Sequence, residues 1–216
     1  EVYFKEKLVE AKLEKIEPTI YYLDSNDEKI NAFNVSAMAS YAENTIDGSV
    51  LTTGVYAYDK STSTKCIKRL GYNFQWEGMP SWTLTDLIAI SHTGYYMGLT
   101  NIERYGGTYT YYDVYNNERN ITITVEPGSY GVTGEFPLIM GYDGSGFGEM
   151  YVDISNNKSA VTKNGLFYMC GQYGHVTVTA GASISVGADG SISFTPTLLS
   201  KVTKSTKVIY NNILTY

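Results

Sequence analysis

Apolar and polar residues alternate with a period of two along most of this chain. Leu70, Tyr72, Phe74 and Trp76 share one parity between Cys66 and Trp76, as do Phe33, Val35, Ala37, Ala39 and Tyr41 further upstream. Such alternation, rich in aromatic and β-branched residues, is that of half-buried strands. Further strands are expected over Val55–Tyr58, Leu87–Ile90, Tyr95–Leu99, Tyr109–Tyr115, Ile121–Val125, Phe136–Tyr142, Phe147–Ile154 and Leu166–Cys170. The clearest alternation runs from Val176 to Val186, with Val, Ala and Ile at even positions and Thr, Ser or Gly between them. Gly187-Ala188-Asp189-Gly190 then turns the chain into Ile192 and Phe194, a hairpin signal. Val208, Tyr210 and Ile213 suggest a last strand.

About 11 to 14 short strands punctuated by turns predict an all-β, antiparallel β-sandwich of jelly-roll type. The small residues of 176–186 fit close packing between sheets, or an edge strand that pairs with a neighbouring subunit. Only residues 1–18 break the pattern. Nine of the first seventeen are charged, and Val9, Leu13 and Ile16 recur at helical spacing before Pro18. A short amphipathic N-terminal helix or a charged lead-in is expected there, followed by a single domain over 19–216.

Composition narrows the classes. The net charge of −6 disfavours nucleic acid and anionic membrane surfaces as partners. No apolar run approaches the ~20 residues of a transmembrane helix. Low charge, abundant Ser, Thr, Asn and Gly, and 21 tyrosines fit a secreted or cell-surface protein, here of an AT-rich, bacterial type of genome. A start at Glu1 suggests a trimmed or mature product. Cys66 and Cys170 each share strand parity with apolar neighbours, so both point to a core. A disulfide between them would close a long loop, worth about 4 to 5 kcal/mol; two separately buried thiols are the alternative.

Candidate chemistry is sparse. Tyr109, Tyr111 and Tyr115 share parity with Asp113, which would set three rings around one carboxylate. Rings stack on the apolar face of a sugar while a carboxylate holds its hydroxyls, so this is the first candidate for binding extracellular polysaccharide. Trp76 and Trp82 bracket a Gly-Pro loop holding Glu77 and could wall a cleft. Glu135 and Glu149 flank a turn-rich stretch and are the candidate pair for a glycosidase-like carboxylate hydrolase, which needs them roughly 5 to 10 Å apart. Asp143 and Glu149 offer oxygens for calcium, without EF-hand spacing. His92 and His175 are too few for zinc and read as structural, as does Cys170 five residues before His175. Asn34 and Asn120 open glycosylation tripeptides. The sequence therefore favours a non-catalytic module that binds a polysaccharide or surface protein, or assembles. The alternatives are the hydrolase, and a toxin-type effector or its neutralising partner that oligomerises through an edge strand.

Overall fold

The thirteen-residue strand Lys65–Glu77 organises the protein. It buries Leu70, Tyr72, Phe74 and Trp76 completely, and its two neighbours extend the same inner surface. The computed structural model describes residues 40–81, 83–178, 181–197 and 199–214. The expected N-terminal helix lies outside these residues.

Fourteen strands are present among the described residues: β1 (Ser40–Ile46), β2 (Ser49–Asp59), β3 (Lys65–Glu77), β4 (Thr85–His92), β5 (Asn101–Tyr112), β6 (Glu118–Thr122), β7 (Thr124–Gly128), β8 (Gly131–Pro137), β9 (Ser145–Asn157), β10 (Leu166–Thr177), β11 (Ala182–Val186), β12 (Ile192–Pro196), β13 (Lys201–Lys204) and β14 (Val208–Ile213). The fold is nearly all β, and every strand pairing is antiparallel. One sheet runs β1-β2-β3-β9-β5-β6, and a second runs β13-β10-β4-β8-β7. β14 continues the edge occupied by β13, pairing with the first half of β10. β11 and β12 form a separate two-stranded sheet.

The inner faces of the two large sheets share one core. Phe74 of the first sheet stacks on Phe136 of the second at 5.2 Å and meets Tyr173 edge-on at 5.0 Å. Glycines at even positions of β9 and an odd position of β3 stand opposite large aromatic residues of the neighbouring strands. Phe74 is paired with Gly148, Trp76 with Gly146, and Tyr56 with Gly71. A Cβ at Gly148 or Gly71 would fall within the Phe74 or Tyr56 ring respectively. The Tyr56 and Phe74 rings each lie across a strand whose side chain has been removed to admit it, and Gly146 does the same for Tyr109.

A smaller core lies on the opposite face of the second sheet. Leu87 and Ala89 of β4 and Cys170 and Val176 of β10 pack there against Ile192 and Phe194 of β12. Ala182, Ile184 and Val186 of β11 complete the cover. The β11–β12 hairpin thus lies over the outer face of the second sheet.

Three expectations are revised. The segment Tyr95–Leu99 is not a strand: Gly94–Met97 forms a 3-10 turn, ended by Gly98 at φ 87°. The alternation of 176–186 is broken between β10 and β11. There Val178 adopts φ 81° and Gly181 φ 133°, both in the left-handed half of backbone space. The disulfide is absent: Cys66 and Cys170 are free thiols. Cys66 belongs to the shared core and Cys170 to the smaller one, so equal parity pointed them into different interiors.

Candidate functional site

The proposed ring row of β5 turns inward. Tyr109 is fully buried and stacks on Phe74 at 5.9 Å, and its hydroxyl donates to the Ile139 carbonyl at 2.8 Å. Burial raises its phenol pKa well above the ordinary value. Tyr111 stacks on Tyr109 at 6.3 Å and packs against the same core. Asp113 lies beyond the strand end, where it organises a turn. Its carboxylate accepts from the Asn117 and Tyr115 backbone N–H groups, each at 2.9 Å, and from Arg119. The Asn117 N–H and the Arg119 guanidinium hold it down to about 2. Of that row only Tyr115 presents its ring to solvent, at 81% exposure.

Trp76 also lies in the core, where its indole donates to the Tyr173 hydroxyl at 3.0 Å. Trp82 is outside the described residues. The loop between them contributes Met79 and Pro80 to an open apolar depression of ≈ 520 Å³, with Leu84, Leu138, Ile139 and Met140.

The two candidate carboxylates stand back to back. Glu149 on β9 faces away from the shared core, where it accepts from the Tyr56 hydroxyl; burial raises its pKa. Glu135 on β8 is exposed on the outward side of the other sheet, since Val132 and Phe136 of the same strand point into the core. Both sheets therefore separate them, and the one-cleft geometry of a carboxylate pair does not form. Asp143 accepts from the Ser145 backbone N–H at 3.0 Å and from its hydroxyl at 2.6 Å, within its own turn. No three metal-binding side chains gather among the described residues.

The outward side of the first sheet carries an ordered charge cluster beside Glu149. Arg69 forms two bonds to Asp153, at 2.6 and 2.9 Å, and its guanidinium lies 4.2 Å from the Tyr151 ring centroid. Lys60 adds a contact to Asp153 at 3.3 Å. Tyr58 is pushed up to about 12, chiefly by burial. Bidentate pairing and ring stacking consume the guanidinium, so this cluster fixes strands and offers no free reactive group.

The histidines are interior. His175 Nδ1 lies 2.9 Å from Asp86 Oδ2, which also accepts from the Tyr173 hydroxyl at 2.6 Å. Asp86 Oδ1 accepts from the Val176 N–H at 2.9 Å. Burial pushes the Asp86 pKa up, against the opposing pull of His175. This His-Asp pair is fully buried, with the His175 ring edge-on to Trp76. Burial lowers His92 to about 4.

The exposed aromatic site is elsewhere. Tyr95 and Tyr96 of the 3-10 turn gather with Tyr130 of the β7–β8 turn, with centroid separations of 5.1 to 5.9 Å. Tyr96 is 61% exposed and Tyr95 40%. The Tyr96 hydroxyl donates to the Ala188 carbonyl, at the tip of the β11–β12 hairpin, at 2.9 Å. Partial desolvation, then Tyr130 and Asp189, raise the Tyr96 pKa. Ser191 holds Asp189 below the usual carboxylate range. Tyr95 and Tyr96 open the tyrosine-dense segment of the sequence, but Tyr130 follows Pro127-Gly128 and has no alternation to mark it.

No family model matches this chain, and no curated protein matches it. Seventeen solved chains show a structural likeness. One is in a structure described as the complete manganese lipoxygenase of Gaeumannomyces graminis with a partial zonadhesin of Komagataella pastoris. It is 9% identical at TM-score 0.30, with 93% of this chain and 78% of that one covered. Another is the NetB toxin of Clostridium perfringens in its membrane-inserted form, 9% identical at TM-score 0.26, with 82% and 95% covered. Likeness at these scores decides neither fold family nor activity.

Proposed function

We propose that this protein is a non-catalytic binding module of the secreted or cell-surface type, built as a jelly-roll-like sandwich of its two large sheets. Carbohydrate is the ligand class, and Tyr95, Tyr96 and Tyr130 form the contact surface. One observation carries this reading: three tyrosine rings in mutual contact, two of them substantially exposed, meet the β11–β12 tip at Ala188, the residue before Asp189. Rings supply the apolar platform for a sugar face, and the carboxylate and phenols supply acceptors and donors for its hydroxyls. The carboxylate, thiol and imidazole groups that hydrolysis would need are buried, paired or set apart.

Binding to a panel of immobilised oligosaccharides tests the reading. Tyr96→Ala and Tyr130→Ala should each weaken any positive signal at least tenfold, while Tyr115→Ala should leave it unchanged. No binding across the panel, or equal loss with Tyr115→Ala, would remove carbohydrate as the ligand class.

A further inference from the structure

The β11–β12 hairpin is in register with the strands from which it departs. In the β10–β13 ladder Gly174 pairs with Lys204 and Thr177 with Lys201, and in the β11–β12 ladder Ala182 pairs with Pro196 and Val186 with Ile192. In every pair of both ladders the two residue numbers add to 378. The two ladders are therefore one hairpin, bent between Thr177 and Ala182 so that its distal half folds back over the second sheet. The Gly181 carbonyl accepts from the Thr197 N–H at 3.1 Å, so pairing in the same register resumes at the distal side of the bend. Val178 takes φ 81° within it, a conformation that a β-branched residue rarely adopts, and its side chain is 51% exposed.

The composition of the bent segment is unlike the rest of the chain. Between Val176 and Ser200 the one charged residue is Asp189, at the tip, whereas Lys201 and Lys204 lie at the base. Even positions hold Val178, Ala180, Ala182, Ile184 and Val186 in one leg and Ile192, Phe194, Pro196 and Leu198 in the other. Odd positions hold Thr, Ser and Gly apart from Asp189 at the tip and Leu199 near the base, and Ser200 is polar at an even position. Because like pairs with like (Ile184 with Phe194, Ser185 with Ser193), each face of the hairpin is uniform over the paired residues 182–186 and 192–196. Legs 177–186 and 191–200 are ten residues each. A strand crossing the hydrocarbon of a bilayer needs about 9 to 11 residues, alternating apolar toward lipid and polar toward water.

We infer that residues 177–200 form a membrane-inserting β-hairpin, stored against the second sheet in the soluble form. Straightening the bend needs no change of register. It carries Asp189 to the far side of a bilayer and leaves Lys201 and Lys204 on the near side. The even face, now covering Leu87, Ala89, Cys170 and Val176, would cover itself with lipid instead. A lone hairpin leaves two unpaired edges in hydrocarbon, so several copies must close side by side, with the Ser and Thr face lining water. The tip is held by side-chain hydrogen bonds to its backbone: Tyr96 to the Ala188 carbonyl, and Ser91 to the Gly190 carbonyl, each at 2.9 Å. Both are single contacts at one end of the segment, which suits a cover that must come away.

The test is release of a trapped fluorophore from phosphatidylcholine vesicles by the full chain, at neutral and mildly acid pH. Ile184 and Ser185 are adjacent and of opposite parity, so they separate insertion from general damage. Ser185→Lys faces water in both forms and should release dye within about twofold of the unsubstituted protein. Ile184→Lys puts a charge into lipid and should cut release at least tenfold. In a second variant, Ser91→Cys with Gly190→Cys, oxidation should abolish release and reduction should restore it. No release by the unsubstituted protein at either pH overturns the inference. So does equal release by Ile184→Lys and Ser185→Lys, or equal release by the oxidised and reduced double-cysteine variant.

Discussion

Asp86 is the residue whose loss should cost the core most per atom removed. Its carboxylate accepts from three groups sealed from water: the Tyr173 hydroxyl, the His175 ring and the Val176 N–H. Asp86→Ala strands all three at once. An unsatisfied buried donor costs about 1 to 3 kcal/mol, and breaking a buried charged network at one partner typically costs about 3 to 5 kcal/mol. The expected loss is therefore about 4 kcal/mol, equivalent to roughly 10 °C in Tm for a chain of this size. Asp86→Asn keeps the shape and one acceptor oxygen, so it should lose about half as much. Urea denaturation followed by tryptophan emission is a direct readout, because Trp76 donates to Tyr173 and meets the His175 ring edge-on at 5.3 Å. Pairing Asp86→Ala with His175→Ala in a cycle should give a coupling above about 1 kcal/mol. A loss below about 1 kcal/mol for Asp86→Ala, or strict additivity in the cycle, would refute the view that this network locks β4 to β10 within the core.

Three other outcomes are expected. His92 is held neutral with a folded pKa of about 4 against an unfolded value of 6.5. The unfolded chain binds the extra proton first as pH falls, so stability present above pH 6.5 should decline toward pH 4 by about 3 kcal/mol. Urea midpoints at pH 7 and pH 4.5 measure this, and His92→Gln should flatten the profile. Gly148→Ala should destabilise by about 1 to 3 kcal/mol through collision with the Phe74 ring, read as a drop in Tm; an unchanged Tm would show that the ring moves aside. Both thiols should be unreactive toward a thiol reagent in the native protein and titrate as two groups once it is unfolded, and a reducing agent should leave Tm unchanged.

Strands were legible where one face is plainly apolar, as in β3 and β9, because burial on one side forces period-two alternation. What alternation does not tell is which side of a strand meets which interior. Tyr109 and Trp76 satisfy equally the pattern of a ring on a wet face and of a ring in a core. The shared core claimed Tyr109 because Gly146 opens space beneath its ring, and Trp76 because its indole reaches the buried Tyr173 hydroxyl. Cys66 and Cys170 show the same ambiguity, with parity right and interior different. The 3-10 turn over Gly94–Met97 was hidden because its tyrosines mimic a strand. The bend after Val176 was hidden because alternation continues straight through it. Asp86 and His175 are far apart in sequence, and no local signal joins them. The exposed triad needed the fold, since Tyr130 reaches Tyr95 and Tyr96 only through the adjacency of β4 and β8.

The passage from β6 to β7 takes one residue, Ile123, which is buried in the shared core while the strands on either side belong to different sheets. That crossing sets β6 and β7 as the last described strands of their respective sheets, on the same side of the molecule. Glu118 and Arg119 line the first, and Pro127 deprives the second of an amide donor. Charge and proline are both poor templates for a further strand. Lateral growth into aggregates should therefore be discouraged along this flank, and any contact between copies would have to use other parts of the surface.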